Sequence, residues 1–420
     1  ILDNAVQAQA PYLRLEAANL MQGNLPPIVA DDDNAAPLHL QAVAAIAADQ
    51  RFGVEGSPIH DPGDALRDEV TTFLARHADT LAVIRTAADR DTCRFTRDWS
   101  RPSIDMLLPE IQALRGEARL LALAARRAAA EGRHADALSD IVRMHRLARH
   151  AAAEPILISY LVALAVDRHA LAELVELLPR LGPEDAPLLD SAAVRDLVGR
   201  PLDLAPALHG EEAFGLATFA GFVDGRMSFE DVEPAIPEQA MGPARVRALG
   251  PIFRVFFLPG DIEGYRKLMH GYQQLVARRD VSVAQAEIDD QAEALEKSLL
   301  AESPGVLTRL LFPALRQVFR ARGRDAAARA AAAVLVAATR QRLATGRLPL
   351  EPNEFTGTLS DALPGDPFAA RGVPLIMKRG DAGLAVYSIG SDGDDDGGPP
   401  PADAEAEDGN DDVGFVMAVR

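Results

Sequence analysis

One cysteine in 420 residues, Cys93, excludes an intramolecular disulfide and a cysteine-based metal cluster. Long apolar runs are also missing. The most apolar stretch, Ile156–Val166 (ILISYLVALAV), ends at Asp167-Arg168, well short of the roughly 20 residues a membrane span needs. Cations are in deficit: 43 Lys and Arg stand against 62 Asp and Glu, a net charge of −19. That argues against nucleic acid as a general partner, because phosphate binding needs clustered Lys and Arg. No G-x-S-x-G elbow, Walker A loop, G-x-G-x-x-G turn or zinc signature occurs.

What is present is 48% hydrophobic, enough for a packed core. Residues 1–36 read as an N-terminal linker with at most a short helix. From Pro37 the pattern is helical: Pro37–Asp49, Asp64–Asp89, Ile104–Ala130, His134–Ala153, Pro155–Leu178, Ala186–Val198, Glu211–Asp224, Gly260–Arg278, Ser282–Leu299 and Val306–Thr345. The clearest case is Ile104–Ala130, where Ile104, Leu107, Leu108, Ile111, Leu114, Ala118 and Leu121 share one face. Glu131-Gly132 stops that helix, and the next helix follows at once, as in a tetratricopeptide-like hairpin. A copy at a fixed period is lacking, so an irregular antiparallel helical array is expected over 37–322. Ser228–Gly250 reads as a long connection, and Pro313 and Gly323 are expected to kink or interrupt the last helix.

After Gly346 the period changes. Pro374–Arg379, Gly383–Ile389 and Gly414–Val419 read as strands of a small antiparallel sheet. The fold class is therefore mainly α, with a small C-terminal α+β module over 323–420. Between the last two strands runs an acidic connection. From Asp392 to Asp412 it holds ten Asp and Glu and no Lys or Arg. Two readings compete: a solvated acidic tail, or a cation-binding loop closed by the strands on either side.

The order of motifs in this module, TGRLP (Thr345–Pro349), LPGDPF (Leu363–Phe368), YSIGSDG (Tyr387–Gly393) and DDVG (Asp411–Gly414), resembles the C-terminal region of the major pseudopilins of type II secretion systems. The resemblance covers at most the last quarter of the chain. Leu348 stands where that family favours an aromatic, and a helical body replaces its membrane-embedded helix. The resemblance implies a calcium loop with Asp392, the Ile389 carbonyl, and Asp411 or Asp412 as ligands. The whole layout also resembles uncharacterised bacterial proteins that join a helical body to this ending and carry an export signal or an N-terminal anchor.

Calcium takes six to eight oxygen ligands, and glycines permit the sharp turns that let aspartates converge. Asp392, Asp394, Asp396 and Gly397 also match the opening of an EF-hand loop. Asp403 at its last position, the prolines at 399–401 and the lack of a preceding helix argue against a true EF-hand, while leaving Asp394 and Asp396 as candidate ligands. Magnesium rarely uses an all-protein cage.

Histidines do not form a metal pair by spacing. His145 and His150 are five residues apart, and His134, His169 and His270 show no carboxylate at obvious ligand spacing, so surface or core-edge roles are expected. Cys93, near Arg94 and Arg97, reads as a buried inert thiol, and Trp99 as a core anchor. The functional expectation is a non-enzymatic interaction protein of the bacterial cell envelope, exported, with Ca²⁺ in its C-terminal module and protein partners in a larger assembly. An export signal or membrane anchor is expected upstream of Ile1. The alternative is an enzyme whose site lies between the helical array and the module.

Overall fold

The computed structural model describes residues 7–54, 56–60, 63–99, 109–227, 258–277, 291–295, 297–298, 306–349, 351–355, 363–399 and 410–418. The Ser228–Gly250 connection and most of the expected Ser282–Leu299 helix lie outside them. The fold is mainly α with a small antiparallel sheet near the C-terminus.

Helix α1 (Ala10–Asn24) lies on a helix far along the chain, α10 (Ala205–Asp224), and Arg14 pairs there with Asp224. Helix α2 (Ala36–Ala48) follows after a loop. The single helix expected over Asp64–Asp89 is two, α3 (Asp68–Arg76) and α4 (Ala78–Ala88), broken at His77. The His77 ring lies 4.6 Å from Phe73 and 5.2 Å from Phe52, and its Nε2 is 3.1 Å from Asp49. These tertiary contacts override the helical preference of the segment.

The centre of the body is the antiparallel run α5 (Pro109–Ala130), α6 (His134–Ala152) and α7 (Leu157–Leu177), each packed on the other two. Gly132 makes the first turn possible at φ 77°, a left-handed value that costs other residues. The Arg133 amide then donates to the Ala128 carbonyl at 2.9 Å. Of the face of α5 foreseen from its period, Ile111, Leu114, Ala118 and Leu121 are buried, and Ile104, Leu107 and Leu108 lie outside the described residues. The apolar run 156–166 is core helix, and no described helix is long and apolar enough to cross a membrane. The helix expected over Ala186–Val198 is split into α8 (Ala186–Leu189) and α9 (Ala192–Gly199), because Ser191 caps the second piece by accepting from the Val194 amide at 3.2 Å.

Helix α11 (Leu258–Ala277) leans on α10. Helix α12 (Val306–Thr345) runs 40 residues, about 60 Å, through both Pro313 and Gly323 without the expected interruption. A lone glycine weakens a helix by about 1 kcal/mol, which the packing of a long helix outweighs. Ala327, Ala328, Ala331, Ala332 and Ala338 are buried on α12, and these small side chains let it lie close against α7. The same helix packs against the sheet, so α12 crosses the position expected to divide body from module and joins the two. The sheet has the order β1 (Ile376–Gly380), β2 (Gly383–Ser388), β3 (Val413–Met417), all antiparallel, with Val386 opposite both Met377 and Phe415.

The body also holds a buried charge imbalance. Arg97 contacts both Glu110 and Glu154, the latter at 3.2 Å, beneath the buried Trp99. One cation cannot neutralise two carboxylates. Burial, reinforced by Glu110 and opposed by Arg97, pushes Glu154 up to about 7. A carboxyl raised this way favours the folded state most when protonated. Its contribution is full below about pH 4.5 and declines as pH rises through 7, by about 3 kcal/mol. We expect Glu154→Gln to remove this component and flatten the profile of unfolding free energy between pH 5 and pH 8. An unchanged slope in urea melts would show that Arg97 neutralises both acids.

Candidate metal centre

The acidic connection is held at its root by a residue from another motif. Asp366 of LPGDPF is buried. Its Oδ1 accepts from the Phe368 amide at 2.8 Å and the Ser388 hydroxyl at 2.6 Å, and its Oδ2 accepts from the Ile389 amide at 3.0 Å. One carboxylate thus fixes the end of β2, where the YSIG turn begins. Asparagine at 366 offers one acceptor oxygen in place of two. Asp366→Asn should therefore destabilise the module by about 1–3 kcal/mol, read as faster amide exchange at Ile389 and along β2. Unchanged exchange would mean that the Asp366 bonds are dispensable.

Beyond Ser388 the chain turns at Gly390, φ 69°, where a side chain would collide with Asp411. That close approach brings the two ends of the connection together. The Ser391 amide and hydroxyl donate to Asp411 Oδ2 at 2.7 and 2.6 Å, and the Asp411 amide donates to Asp396 Oδ2 at 3.2 Å. Carboxylate oxygens of Asp392, Asp396 and Asp411 then lie within 4.8 Å of one another. Asp411 Oδ1 is buried and has no hydrogen-bond partner among the described residues. Arg324, from α12, reaches Asp411 at 3.5 Å.

These contacts set the charges apart. The Asp394 amide draws Asp392 down, but lost hydration and the neighbouring Asp411 and Asp396 carboxylates outweigh it, and Asp392 ends above the ordinary range. Burial works against ionisation of Asp411, yet the Ser391 bonds and Arg324 hold it below that range. Two acids displaced in opposite directions at one point mark a place where like charges are forced together.

Of the ligands expected from sequence, Asp392, Asp396 and Asp411 converge. Asp394 stays outside the cluster, exposed, with its amide donating to Asp392 Oδ1 at 3.0 Å. Asp412 points elsewhere: it is buried and accepts from the Gly398 amide at 2.8 Å, which anchors the far side of the connection. Ile389 is half-buried, with its amide taken by Asp366. Asp403, Glu405, Glu407 and Asp408 lie outside the described residues. Asp395 is a clamp rather than a ligand, accepting from the Tyr387 hydroxyl at 2.9 Å and the Gly397 amide at 3.0 Å.

The histidines depart from expectation. His39, His77, His145 and His150 are buried. His145 Nδ1 meets Asp167 at 2.6 Å, and His134 Nδ1 meets Asp185 at 2.6 Å. His169 does have a carboxylate one turn along, Glu173 at 3.2 Å, which Arg126 also binds at 2.7 Å. The last pair edges an open cleft of 830 Å³ with Arg119 and His60. Cys93 is buried, and burial pushes its thiol well above the usual range.

Comparison with known proteins finds no matching protein family, no matching curated protein and no matching solved structure.

Proposed function

We propose that this chain is a helical interaction protein of the bacterial cell envelope, whose C-terminal module is stabilised by Ca²⁺ and which works through contacts with protein partners. One observation carries the metal reading: Asp392 and Asp396 from one end of the β2–β3 connection meet Asp411 from the other, their oxygens within 4.8 Å. An all-oxygen donor set on a glycine-rich loop suits calcium, with backbone carbonyls and water completing the shell. The order of motifs around it resembles the calcium loop of the pseudopilins, and extracellular calcium is abundant enough for a site of modest affinity.

Isothermal titration of the full chain tests the metal. One Ca²⁺ is expected to bind wild type, Asp392→Ala and Asp411→Asn are expected not to bind it, and excess Mg²⁺ is expected to compete poorly. No heat on Ca²⁺ addition to a folded wild type would overturn the reading and leave a solvated acidic connection. Cross-linking in envelope fractions of the native cell tests the partner role.

A further inference from the structure

A second cluster sits at the centre of the helical body. His39 of α2, His150 in the last turn of α6 and Cys93 in the segment after α4 bring two ring nitrogens and a sulfur within 4.8 Å of one another. All three are buried, with His39 fully so. They come from three segments far apart in sequence.

Each histidine is oriented from behind. His150 Nε2 lies 2.8 Å from the Arg90 carbonyl oxygen. A carbonyl only accepts, so Nε2 carries the proton and Nδ1 is a bare lone pair. His39 Nδ1 lies 2.9 Å from Oε2 of the buried Glu117, whose Oε1 has no hydrogen-bond partner among the described residues. Burial raises the Glu117 carboxyl and His39 opposes that rise. In the ionised form Oε2 accepts, so His39 Nδ1 donates and Nε2 is bare, whereas a protonated Glu117 would turn His39 Nε2 into a donor to His150 Nδ1. The two bare nitrogens, His39 Nε2 and His150 Nδ1, face each other at 3.0 Å. Lone pair against lone pair at that distance is repulsive unless a proton or a metal ion lies between. A carboxylate behind one ring and a backbone carbonyl behind the other is the arrangement that orients metal-bound histidines.

Cys93 is held as firmly. Asn34 and Thr92 form a parallel bridge, and the Ala35 amide donates to the Thr92 carbonyl at 2.8 Å. On the other side, Asn34 Oδ1 accepts from the Arg94 amide at 2.8 Å while its Nδ2 donates to the Arg94 carbonyl at 2.9 Å. The Asn34 side chain and the Ala35 amide therefore hold the backbone on both sides of Cys93. Phe95 lies beside the His39 ring, 6.4 Å between centroids, and lines the site with apolar surface.

We propose that His39, Cys93 and His150 bind one Zn²⁺ ion, with a water molecule as its fourth ligand and Glu117 as the positioning residue behind His39. A mixed set of two imidazoles and one thiolate suits zinc among the first-row ions. Zinc–nitrogen bonds of about 2.0–2.1 Å in tetrahedral geometry set the nitrogens roughly 3.3 Å apart, so the rings need open by only a few tenths of an ångström. Binding displaces the Cys93 thiol proton to solvent. The charges of Zn²⁺, the Cys93 thiolate and the Glu117 carboxylate sum to zero, as a buried site requires. The ion ties α2, the segment 90–95, α6 and, through Glu117, α5. It is a fold-stabilising site, separate from the acidic connection and independent of the calcium reading.

Cys93 is the only thiol in the chain, which makes cobalt a specific probe. The full chain is unfolded, stripped of metal and refolded with Co²⁺. One Co²⁺ per chain should give a thiolate-to-cobalt charge-transfer band in the near ultraviolet and strong tetrahedral bands in the visible, both erased by added Zn²⁺. Cys93→Ser should lose the charge-transfer band, and Asp392→Ala should keep it. Glu117→Gln should keep the band but weaken cobalt binding about 10–100-fold, an effect a merely structural glutamate would not have. The wild-type band needs no variant, so misfolding of Cys93→Ser cannot mask it. If refolded wild type shows no such band, the gap between the histidines holds a proton and the proposal fails. It fails equally if the band survives in Cys93→Ser.

Discussion

Arg329→Met should destabilise the folded chain by about 3–5 kcal/mol, the range for removing one partner of a buried ion pair. Arg329 lies on α12 and is buried, and it binds Asp167 of α7, Asp325 one turn earlier at 3.0 Å, and the Leu197 carbonyl of α9. Asp167 and Asp325 are themselves buried, and Asp167 also takes His145 at 2.6 Å. Even with Arg329 present, burial pushes Asp325 up to about 6, because the guanidinium is shared between two acids. Methionine fills most of the arginine stem's volume, so the loss is of charge more than packing. Without the cation Asp325 must take up a proton to remain buried, while Asp167 keeps its bond to His145. Raised carboxyl pKa values in the folded state mean stability that is present at acid pH and lost as pH rises. The deficit of Arg329→Met should thus be largest above pH 7 and shrink towards pH 5. Adding Asp325→Asn should recover much of it. Urea unfolding followed by Trp99 fluorescence measures each. A loss under 1 kcal/mol would mean that water reaches the pair and that α12 is held to the body by apolar contacts alone.

Elements whose signal is local were legible in the sequence. The C-terminal end of α5, the Gly132 turn and β2 come out within a residue of their expected bounds, because a 3.6-residue or two-residue period is written along the chain itself. The break at His77 was not legible, since it depends on Phe52 and Asp49, which α2 and its following turn bring across. The histidines were misread for the same reason. Spacing along one helix says nothing of partners such as Asp185 for His134 or Glu117 for His39, which lie 51 and 78 residues away. His169 with Glu173 is a different miss, an i,i+4 pair that could have been found by counting. In the acidic connection the cluster of aspartates was visible, but which of them converge depends on Gly390 and Asp411 meeting across the antiparallel pairing of β2 with β3. Asp366 stood in a motif whose order was visible and whose purpose was not, because its three donors are assembled only when β2 ends beside it. Cys93 read as a buried thiol, and it is one. Its neighbours His39 and His150 lie more than 50 residues away on either side.

Calcium removal should loosen the module and spare the body. At a hundredfold excess over its dissociation constant, an ion bound only to the folded state stabilises it by about 2.7 kcal/mol. That gain should appear where the site closes the structure, in β3 and its pairing with β2, and not in α5–α7, whose core is complete without it. Hydrogen exchange on the full chain separates the two. Chelator should speed exchange of the β3 amides that donate to β2 by about a hundredfold, the rate equivalent of that free energy, and leave α6 unchanged. Asp392→Ala should exchange like the chelated protein, with or without added Ca²⁺. The rival source of counter-charge is Arg324, 3.5 Å from Asp411. As a half-exposed pair it contributes little on its own, and one guanidinium cannot offset three clustered carboxylates. Arg324→Gln should therefore deepen the dependence on calcium rather than abolish it, because the ion then carries the whole burden of neutralising Asp411. If chelator leaves β3 exchange unaltered while Arg324→Gln speeds it, the arginine is the cation of this site and calcium has no part in holding the module closed.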